Sequence, residues 1–270
     1  GGSIRIPSAC CGTAGLKPTF GSLPMDGIFP LVHSLDHVGP MGRSVDEVRF
    51  LWDAISGNAG PRRLAVSVRI AHDPAWVEQA DKPIRDAHDS AMRMLLEHGA
   101  TISEVGLPDL EVVSRMHGEI FLVEAAAWHT AHFGPDISSY PQIAQNWFEI
   151  ARTMSASTYR EASIRRAAMT AEVDAILGLH DAILMPTLAV SRPRKDAAVV
   201  TVAGKELDFT MGLVRFTSLF NHTGHPVIAF PVKDQPDPLA AGMQLVGANG
   251  GESAIIAMAK LLACSSTPRL

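Results

Sequence analysis

Two glycines followed by a serine open this chain, in the run Gly1-Gly2-Ser3-Ile4-Arg5-Ile6-Pro7. A serine hydroxyl attacks a carbonyl only when a base takes its proton and oriented donors stabilise the oxyanion. Glycines ahead of the serine permit unusual backbone angles and a close approach to substrate, with N–H groups free to face the developing charge. These residue types suit acyl transfer on Ser3. The same tripeptide is also a common flexible segment, so composition alone leaves both readings open. Arg5 sits in an apolar, strand-like run. A buried charge needs a partner, so Arg5 is expected to be tied to Asp36 or another carboxylate, locking the loop around Ser3.

The remaining candidate groups are sparse. Of eleven histidines, His129 and His132 have helix-face spacing within a stretch expected to be helical, and no third ligand stands near them, so no metal site is expected. The three cysteines, Cys10, Cys11 and Cys264, make a poor disulfide framework and favour a reducing compartment, hence the cytoplasm. The net charge of −5 and the scattered basic doublets Arg62-Arg63 and Arg165-Arg166 leave no footprint for nucleic acid. No apolar run approaches the roughly 18 residues of a membrane span. A composition of 47% hydrophobic and 19% charged residues describes a globular chain with a sizeable core.

Residues 1–45, rich in Gly, Pro and Ser, read as loops and short strands, the kind of segment that carries chemistry. A helix is expected over Val45–Ile55, ending at Gly57, and another from a cap at Asp81 to about His98. Leu64–Val68 and Thr101–Val105 read as strands on either side of it, an α/β order. Residues 110–180 are mostly helical, with breaks at Phe133-Gly134-Pro135 and Tyr140-Pro141 and a long helix over Ala162–Leu179. Strands are expected at Ala182–Pro186, Val227–Pro231 and Gly242–Val246, with a loop at Lys233–Pro238 and a closing helix over Ser253–Cys264.

The opening run continues into Cys11-Gly12 and Gly15-Leu16-Lys17-Pro18-Thr19, then Ser34-Leu35-Asp36 and Gly39-Pro40. Later come Asp181 to Thr187, Asn221-His222-Thr223-Gly224-His225-Pro226 and Gly242-Met243-Gln244-Leu245-Val246-Gly247. In order and spacing this series resembles the amidase signature family across nearly the whole chain. The resemblance implies one amidase signature domain over residues 1–270, of α/β class, with a large twisted mixed sheet flanked by helices. It implies a Ser–cis-Ser–Lys triad in which Ser3 is the nucleophile, with the backbone amides of Gly1, Gly2 and Ser3 forming the oxyanion hole. The cis-serine and the lysine belong upstream of this sequence, so the chain is expected to be the C-terminal part of a longer amidase and inactive by itself. Lys17 belongs to a structural turn in the family and is not the base.

The resemblance also makes Arg166 a candidate for holding a substrate carboxylate, with a surface position as the equal alternative. Met25, Phe29 and Phe216 are candidates for an acyl pocket, although core packing suits each at least as well. The leading reading is an amidase that converts a small carboxamide to carboxylate and ammonia through a seryl acyl-enzyme, without a cofactor; a homodimer is left open. The alternatives are the glutaminase-type A subunit of an aminoacyl-tRNA amidotransferase, and a truncated, non-catalytic relic.

Overall fold

The first element is a helix, not the strand that Ile4 and Ile6 suggest by flanking Arg5. In the computed structural model, which describes residues 1–57, 67–191, 193–237, 239 and 242–263, α1 spans Arg5–Cys11. Pro7 falls in its first turn, where backbone N–H groups have no partner within the helix, so the ring costs nothing. The helix stops at Gly12, whose φ of 62° is left-handed and whose N–H returns to Ala9 and Ser8. Strands β1 (Ala14–Lys17) and β2 (Met41–Gly42) follow. Helix α2 (Val45–Ser56) starts where Ser44 Oγ accepts from Glu47 N at 3.3 Å.

Of the strand expected over Leu64–Val68, residues 64–66 lie outside the described residues; strand β3 is Arg69–His72. After the short α3 (Pro74–Val77), α4 runs over Lys82–Glu97. Asp81 occupies its cap position without capping it. Its carboxylate instead accepts from the N–H and hydroxyl of Ser191, 2.8 and 2.9 Å away, which ties the start of α4 to a distant loop. Strand β4 (Thr101–Glu104) is followed by the long helices α5 (Leu110–Phe133) and α7 (Ala156–Leu179), with α6 (Gln142–Arg152) between them. Helix α7 begins six residues before Ala162 because Ser155 caps it, accepting from Thr158 N at 3.1 Å.

Strand β5 (Ala182–Pro186) precedes a hairpin, β6 (Val199–Val202) and β7 (Lys205–Asp208). Helices α8 (Phe209–Val214) and α9 (Ser218–His222), strands β8 (Val227–Pro231) and β9 (Gly242–Val246), and α10 (Glu252–Leu262) complete the described chain.

Seven strands form one mixed sheet in the order β2-β1-β8-β9-β5-β3-β4, parallel only where β5, β3 and β4 adjoin. Every residue of β5 and β8 is buried. Such unbroken apolar strands need cover on both faces, which the helices provide. The α/β class expected from the motifs is the class observed.

Two glycines let α1 lie directly on this sheet. A Cβ on Gly15 of β1 would overlap Ser8 Oγ and meet Ile4 Cγ2 at 2.9 Å, and one on Gly242 of β9 would meet Ala9 Cβ at 2.9 Å. Gly15→Val should therefore lift α1 and cost about 1–3 kcal/mol through overpacking, read from the midpoint of denaturant unfolding. An unchanged midpoint would show that α1 is not seated on the sheet.

Candidate active site

Ser3 lies in the turn immediately before α1 and is exposed, whereas Gly2 and Arg5 on either side are buried. Both glycines are fixed by close approach. Gly2 has φ of 145°, and a Cβ there would meet Thr217 Oγ1 at 2.5 Å. A Cβ on Gly1 would meet the His117 ring at 2.7 Å. Thr217 Oγ1 donates to Gly1 O at 2.6 Å, and Ile6 N donates to Gly2 O at 2.8 Å. With the carbonyls engaged, the N–H groups of Gly2 and Ser3 have no acceptor among the described residues.

Arg5 is fully buried and lines the small polar cavity that also holds Ser3. Its guanidinium donates to Gln244 Oε1 of β9 at 3.0 Å, to Thr217 O at 2.9 Å, and to Asn221 Oδ1 of α9. All three acceptors are neutral, and burial lowers its pKa to about 9. The expected pairing of Arg5 with Asp36 or another carboxylate is not found. Asp36 instead closes its own turn, its carboxylate accepting from Leu31 N at 2.7 Å and Val32 N at 3.0 Å. The two segments are joined indirectly, because Asn221 Nδ2 donates to Leu35 O at 3.0 Å. Gln244 uses its other end as well, its amide nitrogen donating to Pro186 O at 3.0 Å and Phe216 O at 2.8 Å.

Arg166, on α7, closes the same region from another side. Nε donates to His222 O at 2.8 Å, and the terminal nitrogens donate to Ser34 Oγ at 2.9 Å and Ser34 O at 3.0 Å. It is not among the residues lining the cavities at Ser3. Lys17 does line the small polar cavity of about 60 Å³ that holds Ser3, Asp36 and His37. Its Nζ is committed to Pro18 O at 3.0 Å and Gly224 O at 3.5 Å, and burial, helped by the Arg5 charge, holds its pKa well below the usual lysine range. The Ser3 hydroxyl has no partner among the described residues, so no Ser3–Lys17 dyad forms. Ser8 spends its hydroxyl on Ile4 O at 2.8 Å.

A larger cavity of about 720 Å³ opens from Gly1, Gly2 and Ser3 towards α5, α6 and α8. The expected pocket residues do not reach it. Phe216 is fully buried against Trp76, Phe29 packs on Trp128 and Phe133, and Met25 lines a separate cleft. His117 does reach it, with Nδ1 3.0 Å from His222 Nε2. Burial lowers the pKa of His117 and of His37 to about 3 and that of His222 well below its ordinary value. Gln244 and Asn221 lie in two of the quoted motifs, which assign them no role, and His117 lies in none. For the first two the available signal is a polar residue inside an apolar strand or short helix. The helical pair His129 and His132 is used locally, by Tyr140 at 3.0 Å and by stacking on Trp128.

The family model described as Amidase matches residues 1–256. An amidase of Pseudomonas putida is 29% identical over 263 residues, covering 88% of this chain and 55% of that protein. The A subunit of a glutamyl-tRNA(Gln) amidotransferase from Wolinella succinogenes is 26% identical, covering 95% and 64%. A crystal structure of an amidase superposes with a TM-score of 0.85 at 26% identity, covering 96% of this chain and 59% of that one. The chain thus spans less than two thirds of the length of each.

Two outcomes follow from this geometry. Arg5→Met leaves Gln244 Oε1, Asn221 Oδ1 and Thr217 O without their donor and should destabilise the fold by roughly 3 kcal/mol or more in denaturant titration. The histidines act through pH. His37 and His117 are neutral when folded and protonate near 6.5 when released, so their contribution is complete above that pH and is lost as pH falls towards 3; burial shifts His222 in the same direction. Near pH 5, unfolding should take up roughly two protons from His37 and His117, and replacing His37 with Asn should flatten the acid limb of a stability–pH curve.

Proposed function

The chain belongs to the amidase family, and from that premise we propose that it carries the nucleophile of an enzyme hydrolysing a carboxamide. Ser3 Oγ attacks the amide carbon and forms a C–O bond. The tetrahedral intermediate collapses with loss of the C–N bond, and the serine proton leaves with ammonia or an amine. Water then hydrolyses the ester to carboxylate and frees Ser3. The observation that carries this reading is an exposed serine beside two N–H groups that have no acceptor among the described residues, at the mouth of a cavity. Gly2 and Ser3, with Gly1, are the proposed oxyanion donors.

Arg5 is a positioning residue in this reading, together with the segment that carries Asp36. The base is the lysine of a Ser–cis-Ser–Lys relay, acting through the cis-serine. Neither of those two residues can be assigned in this sequence, so the 270-residue chain assayed alone is predicted to be inactive. Cys10 and Cys11, both free thiols, support a reducing compartment such as the cytoplasm.

The A subunit of an amidotransferase is the second reading, favoured by the named relative from Wolinella succinogenes. Arg166 is its candidate carboxylate-binding residue and would have to leave Ser34 and His222 to serve.

In the intact protein, Ser3→Ala should lower kcat for ammonia release from a simple amide by about a thousandfold or more, with the unfolding midpoint unchanged. Retained activity in the variant would remove Ser3 from the mechanism.

A further inference from the structure

The 720 Å³ cavity at Ser3 is within the range of small-molecule sites, and its walls are specific in their chemistry. Phe121 and Leu122 of α5, Trp147 and Ile150 of α6, and Met211 and Leu213 of α8 supply apolar surface. Phe121 and Trp147 meet edge to face with centroids 5.2 Å apart, leaving a flat aromatic corner. No lysine or arginine is among the described lining residues.

Two titratable groups do line the cavity, and both are already committed. Asp208 caps α8, its carboxylate accepting from Thr210 N at 2.9 Å and Met211 N at 3.1 Å. His117 faces His222, and burial keeps its imidazole neutral at physiological pH. A substrate carboxylate here would lose its hydration and meet no cation among the described lining residues, and the Asp208 charge would oppose it. An ammonium would find Asp208 already bonded twice by backbone.

We propose that the site takes a carboxamide whose acyl side is an uncharged apolar group of at least aromatic-ring size, with the amide carbon at Ser3 and the apolar group against α5, α6 and α8. The inference rests on the amidase reading and names its substrate class. Glutamine and other amides bearing a free carboxylate are poor substrates. Specificity comes from the burial of apolar area, with no lysine or arginine among the described lining residues to pair with a carboxylate.

The test uses the intact protein as its Ser3→Ala variant, so that binding is read without turnover. 4-Phenylbutanamide and L-glutamine are titrated against tryptophan fluorescence and heat, while the unaltered protein is assayed for ammonia release from both. The account expects 4-phenylbutanamide to bind about 100-fold more tightly than glutamine, consistent with burial of one aromatic group. Trp147→Phe should abolish the fluorescence change and keep the heat of binding. Leu122→Lys should weaken 4-phenylbutanamide and improve glutamine. Equal or tighter binding of glutamine to the Ser3→Ala protein overturns the inference, as does indifference to Leu122→Lys in a folded variant. Selective binding of 4-phenylbutanamide without hydrolysis of either amide would instead overturn the amidase reading and leave the apolar site standing.

Discussion

A guanidinium paired with neutral acceptors, and with no carboxylate beside it among the described residues, organises this protein. Arg5 is fully buried and carries its charge among neutral acceptors from β9, α9 and the segment before α9. Taking such a group from water is costly, and the cost is offset here by three N–H donors that meet fixed acceptors. Those bonds constrain its neighbours. Gln244 must present its oxygen to Arg5, so its nitrogen turns to Pro186 O and Phe216 O. Asn221 must do the same, so its nitrogen turns to Leu35 O. Each side chain has one orientation that satisfies both ends, and the network therefore specifies one arrangement of β5, β9, α9 and the loop at Leu35.

Ser3 inherits its position from that arrangement. It is two residues from Arg5, on a turn whose carbonyls are held by Thr217 Oγ1 and Ile6 N. The glycines ahead of it are pressed against Thr217 and His117 so closely that no side chain fits. Arg166 adds a second clamp, joining Ser34 to the carbonyl of His222. Preorganisation of this kind lets backbone donors stabilise charge without reorganising during a reaction. Its consequence for the proposed chemistry is a serine whose surroundings are rigid although its hydroxyl is exposed.

Much of the fold is legible in local pattern. The amphipathic helices α2 and α4 and the apolar strands β5, β8 and β9 lie within a residue or two of their expected bounds, because burial periodicity is a local property. Helix α1 is not legible. Ile4 and Ile6 around Arg5 imitate a strand, and Pro7 discourages a helix unless its place in the first turn is known. The hairpin at Val199–Asp208 escapes the pattern reading despite alternating residues around an Ala203-Gly204 turn with positive φ at both positions. The partners of Arg5 lie 212 to 239 residues away in sequence, beyond the reach of any periodicity. Motif order nominates Asp36, a nearer carboxylate, where the fold supplies amides and a carbonyl. The cavity wall is equally out of reach, since α5, α6 and α8 meet only through tertiary packing.

Trapping the acyl-enzyme decides whether Ser3 carries the reacting oxygen. The intact protein turning over an amide is quenched in acid, digested with trypsin and mapped by mass spectrometry. The acyl group is expected on the peptide ending at Arg5, which carries Ser3. An acyl group on the next peptide, beginning at Ile6 and carrying Ser8, Cys10 and Cys11, would contradict it.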